Sequence, residues 1–521
     1  MKTALRAAAL LAALLAAGCA ALPSLEDRTA STALAGTDTR LGRAVSALAA
    51  SHPEGEDAIY PLPQGPNAFA ARVLLARSAD RSLDVQYYIW HADTTGFLLL
   101  EELWNAAERG VRVRLLLDDN GIAGLDPILR AFDSHPNAEV RLYNPYPTRG
   151  FKVIDYLSDF SRLNRRMHNK SFTADSEATI VGGRNVGDEY FAAGEGTFFI
   201  DMDAFAVGPI AGDVSAAFDL YWNSASAYPI DRIVKKTEPN GVGAMKARFA
   251  AVRASPEAVA YIETVREAPL VESVAAHAIP FEWGSIELVC DQPKKTLGEA
   301  SQSELLITDL RRAAGAPKTS LDIVSPYFVP REKGTKDLSA LPARGVALRI
   351  VTNSLAATDV GAVHAGYAKS RKPLLRSGAL LYELRPDAGG ARRARHGGSG
   401  KSGGSSGGSS SASLHGKTLS VDRERAFIGS FNLDPRSTNL NTEMGFVIEG
   451  TAIARQISER LDALLPAIAY RVILTPDGRA LEWIERAPDG REVRYHHDPH
   501  TGPLRRFFVR LLGWLPIDSM L

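Results

Sequence analysis

The sequence predicts an α/β fold built from two homologous halves, and three observations predict it. Strand-like and helix-like segments alternate from about residue 71 onward. The same order of segments restarts near residue 300. A stretch rich in reactive side chains occurs twice, at 168–185 and again at 415–432.

Residues 71–79 carry apolar side chains at helical spacing, whereas 82–90 alternate and are rich in β-branched and aromatic residues, as a strand is. Residues 98–109 form a second amphipathic helix, closed by Gly110 where a helix C-cap favours glycine. Strands follow at 111–117 and 140–143. Alternation of this kind gives a sheet covered by helices. In the second half 305–313 reads as a helix, 320–328 matches 82–90, 344–352 matches 109–117, and 379–383 matches the strand at 140. A repeat of this length means two homologous domains rather than a solenoid. The boundaries expected are 66–275 and 276–470, followed by a tail at 471–521. That tail contains a hairpin around Pro488-Asp489-Gly490 and a basic, apolar end at 505–517. The end suits either a membrane-surface helix or a helix packed on the core.

With 521 residues, 45% hydrophobic and 23% charged, the chain can bury a large core and is neither disordered nor polytopic. Lys+Arg and Asp+Glu number 60 each, so the basic footprint of a nucleic-acid binder is missing and no nucleic acid is expected. Two cysteines, Cys19 and Cys290, exclude a multi-disulfide scaffold and a cysteine-based zinc site. Lys2 and Arg6 precede an Ala/Leu run at 7–17 that is too short to span a membrane. The run ends Leu15-Ala16-Ala17-Gly18-Cys19, which resembles a bacterial lipoprotein signal with lipidation at Cys19. On that resemblance 1–18 is a signal peptide and the protein is a membrane-anchored lipoprotein of the bacterial cell envelope, facing the periplasm. Ala20 looks like outer-membrane sorting. Residues 19–65 read as a tether with one amphipathic helix around 41–49. Residues 387–413 are Gly/Ser-rich and carry Arg392, Arg393 and Arg395 just before His415. They read as a flexible loop, either a plain insertion or a rim over the site.

The doubled stretch carries the chemistry. Its first copy presents His168, Lys170, Asp175, Gly182-Gly183 and Asn185, and its second His415, Lys417, Asp422, Gly429-Ser430 and Asn432. Alternate side chains of a strand share a face, so each histidine is expected to point the same way as its lysine. The aspartates lie beyond, near a turn, and the glycines permit close backbone approach. Lysines and amides suit the anionic oxygens of a phosphodiester while imidazoles handle bond making and proton transfer. Two copies suggest one site built from two halves.

The pattern HxKxxxxD followed by GxxN resembles the phospholipase D superfamily. Longer segments at 166–175, 182–191, 325–330, 352–359, 429–437 and 515–517 resemble bacterial cardiolipin synthase C-type proteins, over nearly all of the chain from residue 71. The resemblance implies two phospholipase D-type domains, each a mixed sheet flanked by helices, packed as a pseudo-twofold pair around one shared active site. It implies covalent phosphatidyl transfer, with His168 as nucleophile and His415 as acid and base. Each histidine needs an orienting acceptor: Glu443 is expected in the second half and Asp201 in the first, with Asp203 as alternate. Asp175 and Asp422 are expected to brace the site. Lys170, Lys417, Asn185, Asn432 and Ser430 are expected to hold phosphate, the hydroxyl coming from one half only because Gly183 matches Ser430. No metal or cofactor is expected. Substrates would be phospholipids at a membrane surface, with phosphatidylglycerol as acceptor and phosphatidylglycerol or phosphatidylethanolamine as donor. A hydrolase releasing phosphatidic acid, a nuclease and a catalytically silent membrane scaffold are the rival readings.

Overall fold

The structure, a computed structural model, describes residues 22–149, 152–193, 198–235, 239–276, 278–388, 412–487 and 489–514. The expected leader, Cys19, most of the Gly/Ser stretch and residues 515–521 lie outside the described residues.

In the first half the strands are β1 (Asp57–Leu62), β2 (Ser82–Ile89), β3 (Arg112–Gly121), β4 (Ala138–Tyr143), β5 (Ser171–Ala174), β6 (Ala178–Gly182), the short β7 (Phe198–Ile200), β8 (Asp203–Val207) and β9 (Ala227–Pro229). The second half supplies β10 (Glu282–Cys290), β11 (Ser320–Val324), β12 (Ala347–Asn353), β13 (Leu380–Leu384), the short β14 (Ala412–Leu414), β15 (Lys417–Val421), β16 (Arg425–Gly429), β17 (Met444–Glu449) and β18 (Ala469–Leu474). β19 (Leu481–Arg486) and β20 (Glu492–Tyr495) extend its edge as an antiparallel pair.

β2, β3 and β4 run parallel, as do β11, β12 and β13. Helices cover both faces of these strands, which is why Leu115-Leu116-Leu117 of β3 is an unbroken, fully buried apolar run rather than an alternating one. Antiparallel β5, β6 and β8 continue the first sheet, and β15, β16 and β17 continue the second. β1 pairs with β8 on one side and with β10 on the other, while β10 pairs with β17. The two half-sheets thereby join into one sheet of 18 strands. At the join, Ile59, Val181, Ala204 and Ala206 of the first half form one buried cluster with Ile286, Ile428, Phe446 and Ile448 of the second. Each half keeps a core of its own, and the two share this third cluster.

The segment expected to be a tether is instead part of this core. Arg28 donates to the carbonyl of Ala227 at 2.7 Å, Ala33 N–H donates to Asp219 at 2.8 Å, and the helix Arg40–Ala49 is capped by Thr39. β1 itself lies within the expected tether and closes the sheet. Outside that helix and β1, the short polar and small residues of the segment gave no periodic pattern because they are held by hydrogen bonds to the domain rather than by an apolar face.

The motif aspartates open three-residue hairpin loops, 175–177 and 422–424. Asp175 and Ser176 have φ of 52° and 56°, and Asp422 and Arg423 have 56° and 59°, as a type I′ turn requires. Aspartate tolerates this left-handed region better than most residues because its short side chain bonds nearby backbone. The Asp175 carboxylate accepts from the backbone N–H groups of Asp80, Arg81 and Ser82 at 2.8–2.9 Å, fixing the start of β2. Asp422 does the same for Lys318, Thr319 and Ser320 at 2.7–3.0 Å, at the start of β11.

Asp175 is buried and Asp422 is not, so their loss should be unequal. Asp175→Ala is expected to lower stability by about 2–4 kcal/mol, and Asp422→Ala by less than half of that. Urea denaturation midpoints check this; a larger loss from Asp422→Ala would contradict it.

Candidate active site

The histidines lie just ahead of β5 and β15 rather than within them. In each half the residues leading into the strand pair with the other half. His168 N–H donates to the Thr442 carbonyl at 2.9 Å and Thr442 N–H to the Arg166 carbonyl at 3.0 Å. Likewise β14 pairs in parallel with β7, and His415 N–H donates to the Ile200 carbonyl at 2.8 Å. Glu443 directly follows Thr442 and Asp201 directly follows Ile200. The backbone pairing therefore delivers each carboxylate to the opposite half's histidine.

His168 Nδ1 lies 2.7 Å from Glu443 Oε2, and His415 Nδ1 lies 2.6 Å from Asp201 Oδ2. Assigning Asp201 to the first half's histidine and Glu443 to the second's is corrected by this geometry: the pairs cross. Asp203, the alternate, instead holds buried Arg72 at 2.9 Å and lies near Arg184. With both Nδ1 atoms held by carboxylates, Nε2 is the opposite nitrogen of each ring, and that of His415 lies 3.4 Å from Lys417 Nζ.

The Gly183/Ser430 difference falls on these acids, not on the phosphate. A Cβ at Gly183 would lie 2.3 Å from Asp201 Oδ1, so glycine there leaves room for the carboxylate. At the matched position Ser430 donates to Glu443 at 2.5 Å and accepts from Met444 N–H at 3.0 Å. The expectation that Ser430 binds phosphate is corrected accordingly, because its hydroxyl is committed. Asn185 is committed as well: it accepts from Ile89 N–H at 3.1 Å and donates to the Tyr190 hydroxyl at 3.0 Å. Buried Asn432 makes no side-chain hydrogen bond among the described residues, and its carbonyl oxygen is unpaired. Lys170 donates to the His168 carbonyl at 2.6 Å, and Lys417 to the His415 carbonyl while lying 2.9 Å from His415 Nδ1. Asp175 and Asp422 are far from this chemistry, at the other ends of their strands.

Sequence reading missed the aromatic and ionic surround. The Tyr88 ring stands edge-on to His168 with centroids 5.1 Å apart, and Tyr190 does the same to His415 at 5.1 Å. Arg184 donates to the carbonyls of Leu62, Pro63 and Asp201 at 2.7 Å each and so fixes the Asp201 segment. Buried Lys295 and Asp291 pair at 2.7 Å, and Asp291 accepts from Glu443 N–H at 3.0 Å. Tyr190, Arg184 and Arg436 lie within or beside the doubled motif. Tyr88 could have been found as the aromatic that ends β2 next to the histidine; the Asp291–Lys295 pair left no signal.

The electrostatics of the two pairs differ. Burial, then the positive charges of Lys170, Lys417, His415 and Arg436, hold His168 well below the ordinary histidine range. Burial pushes Glu443 up to about 7, against the pull of Lys170 and Ser430. His415 is also lowered by burial and Lys417, but Asp201 opposes that. Burial disfavours ionised Asp201, yet His415, Lys417 and Arg184 outweigh it and hold the carboxyl below its usual range. A neutral His168 thus faces a carboxyl near its midpoint, and His415 faces a firmly ionised one. Burial lowers Lys170 well below its usual range and Lys417 to about 8. Among the described residues one cluster, His91, Asp93 and Glu189, has the spacing to hold a cation. Asp93 already caps the helix Thr94–Glu108, and Glu189 pairs with His91 at 3.1 Å.

Paired imidazoles, paired lysines and a free amide on this doubled sheet define a two-histidine phosphodiester-transfer site of phospholipase D type. The chain matches the family described as "Cardiolipin synthase, PLD-like domain" over residues 74–222 and 307–465. It is 44% identical to cardiolipin synthase C of Escherichia coli, over 92% of this chain and 100% of that one. An uncharacterised Helicobacter pylori protein is 33% identical over 76% of this chain and 77% of that one. The crystal structure of phosphatidylserine synthase from Haemophilus influenzae aligns with a TM-score of 0.55 at 13% identity, covering 93% of this chain and all of that one, a likeness of fold. The chain belongs to the phospholipase D-like cardiolipin synthase family, and it is an enzyme of that superfamily.

The lysine charges set the alkaline limit. Because Lys417 sits at about 8 in the folded protein, its charge is present below that pH and lost as the pH rises through it. The unfolded chain keeps this proton to about 10.5, so alkali removes activity without removing stability through this group. The kcat/KM profile of the free enzyme is expected to fall above about pH 8. A profile level to about pH 10 would contradict it.

Proposed function

We propose that the protein is a phosphatidyltransferase that condenses two phospholipids into cardiolipin, taking phosphatidylglycerol as acceptor and phosphatidylglycerol or phosphatidylethanolamine as donor. The observation that carries the reading is the pair of crossed, electrostatically unequal histidines. Neutral His168 attacks phosphorus through Nε2; the P–N bond forms as the P–O bond to the donor's headgroup alcohol breaks. His415 Nε2–H gives its proton to that alcohol. Glu443, near its midpoint, accepts the strengthened Nδ1–H bond of the phosphorylated ring. His415, now neutral, takes the proton of the incoming hydroxyl, whose oxygen attacks phosphorus and frees His168. Lys170, Lys417 and Asn432 hold the two non-bridging oxygens throughout. The name of the Escherichia coli relative supports the product. Membrane attachment through a lipidated Cys19 fits substrates that never leave a bilayer; it rests on the Leu15–Cys19 pattern. Among the described residues no helix is long and apolar enough to cross a membrane.

Purified protein on vesicles of both lipids is expected to form cardiolipin, and phosphatidic acid as the sole product would overturn the transferase reading in favour of hydrolysis. His168→Ala and His415→Ala are each expected to cut turnover at least about a thousandfold. Substantial activity left in either variant would contradict a single shared site.

A further inference from the structure

Two helices of this fold present their apolar residues outward. In the C-terminal helix, Pro503–Trp514, Leu504, Phe507, Phe508, Leu511 and Trp514 are all exposed, Trp514 to 85%. Their spacing puts them on one stripe. The opposite side is used for packing: Val509 and Gly513 face the helix Gly361–Ala368, with Val509 Cγ2 only 3.6 Å from where a Cβ of Gly361 would stand. In the helix Lys152–Ser158 and the turn after it, Val153, Leu157 and Phe160 form a second stripe, Leu157 being 76% exposed. The surface of a soluble domain rarely leaves such stripes uncovered.

Both helices are hung beside the histidines, at equivalent places in the two halves. Lys152 donates to the Asp119 carbonyl at 3.0 Å, near the end of β3, and neighbouring Asp118 holds Arg166 at 2.8 Å, two residues before His168. In the other half Asn353, at the end of β12, exchanges two hydrogen bonds with Leu414, the residue before His415. The loop beyond Asn353 reaches Thr358, whose carbonyl accepts from Arg505 of the C-terminal helix at 3.2 Å. The two stripes therefore lie on elements tied, through the ends of β3 and β12, to the two histidine segments.

Charge selects the occupant. Residues 503–514 contain Arg505, Arg506 and Arg510 and no acidic residue. Arg510 is exposed and makes no ion pair among the described residues. Aromatic and aliphatic residues on one face, beside three arginines with no acidic residue in the helix to neutralise them, match an anionic lipid surface, where rings enter the headgroup–acyl boundary and guanidinium groups meet phosphate. We infer that the stripes of Pro503–Trp514 and Lys152–Phe160 are a two-sided docking surface that seats the active-site mouth on an anionic phospholipid bilayer. The inference rests on the phospholipid-transfer reading and says how substrate reaches the histidines: a headgroup rises between the two helices while its chains stay in the bilayer.

Trp514 makes the surface testable, because the other five tryptophans are buried or partly so. With the full chain on vesicles containing phosphatidylglycerol brominated along its chains, tryptophan emission is expected to be quenched, and Trp514→Phe to abolish that quenching. Phe507→Ser/Phe508→Ser and Val153→Ser/Leu157→Ser are each expected to lower turnover on vesicles at least about tenfold. Turnover of short-chain phosphatidylglycerol below its micelle concentration is expected to stay within about twofold, since the histidines are untouched. Absence of quenching, or quenching that persists in Trp514→Phe, overturns the proposal. So does an equal loss on vesicles and monomers, or a dimer in light scattering that Phe507→Ser/Phe508→Ser dissociates, which would make the stripe a self-contact. Quenching lost only in Trp514→Phe, with no turnover of either substrate by the unaltered protein, would support docking and overturn the transferase reading instead.

Discussion

Each imidazole of the doubled motif is held by a carboxylate that belongs to the other half of the chain. His168 to Glu443 and His415 to Asp201 are buried hydrogen bonds of 2.7 and 2.6 Å. They are possible because the backbone leading into each histidine pairs with the backbone leading into the opposite acid. Burying a carboxylate is costly, and within its own half Glu443 has the Ser430 hydroxyl and Asp201 the Met202 N–H, so the opposite half's imidazole adds a partner able to carry charge. The crossing makes one site out of two and makes the shared core of Ile59, Val181, Ile428 and Phe446 a requirement of the chemistry.

Near-symmetry then has to be broken, since transfer needs one neutral and one protonated imidazole. The break lies in small differences around the acids. Asp201 sits against Gly183, receives the field of Lys417 and Arg184, and stays ionised. Glu443 is longer, takes a hydroxyl from Ser430, lies beside Asp291, and is pushed to about 7 by burial. His168 accordingly keeps its lone pair, and His415 has the better counter-ion for a proton.

The doubled α/β order and the His/Lys pairs were legible because they rest on local patterns: period-two strands, helix spacing and repeated strings. The function of the motif aspartates was legible only in outline; a type I′ turn with a carboxylate capping a distant strand start needs the fold to be seen. The acids themselves were found, but their pairing was not, because sequence order assigns Asp201 to the nearer histidine and only parallel pairing across the halves reverses that. Ser430 and Asn185 misled for a related reason. A hydroxyl or amide beside a reactive motif reads as a phosphate ligand, while burial first obliges it to satisfy a neighbour. Before Asp57 only the amphipathic helix was legible; the rest of the segment is anchored through Arg28, Ala33 and other polar ties rather than through an apolar period.

The crossed pairing is open to direct observation in the protein labelled with nitrogen-15 at histidine. A ring N–H in a short bond to carboxylate resonates far downfield, and assignment follows from His168→Gln and His415→Gln. Glu443→Gln should displace the His168 signal and spare that of His415, and Asp201→Asn should do the reverse. If Asp201→Asn displaced the His168 signal instead, each histidine would be held by the acid of its own half and the pairs would not cross.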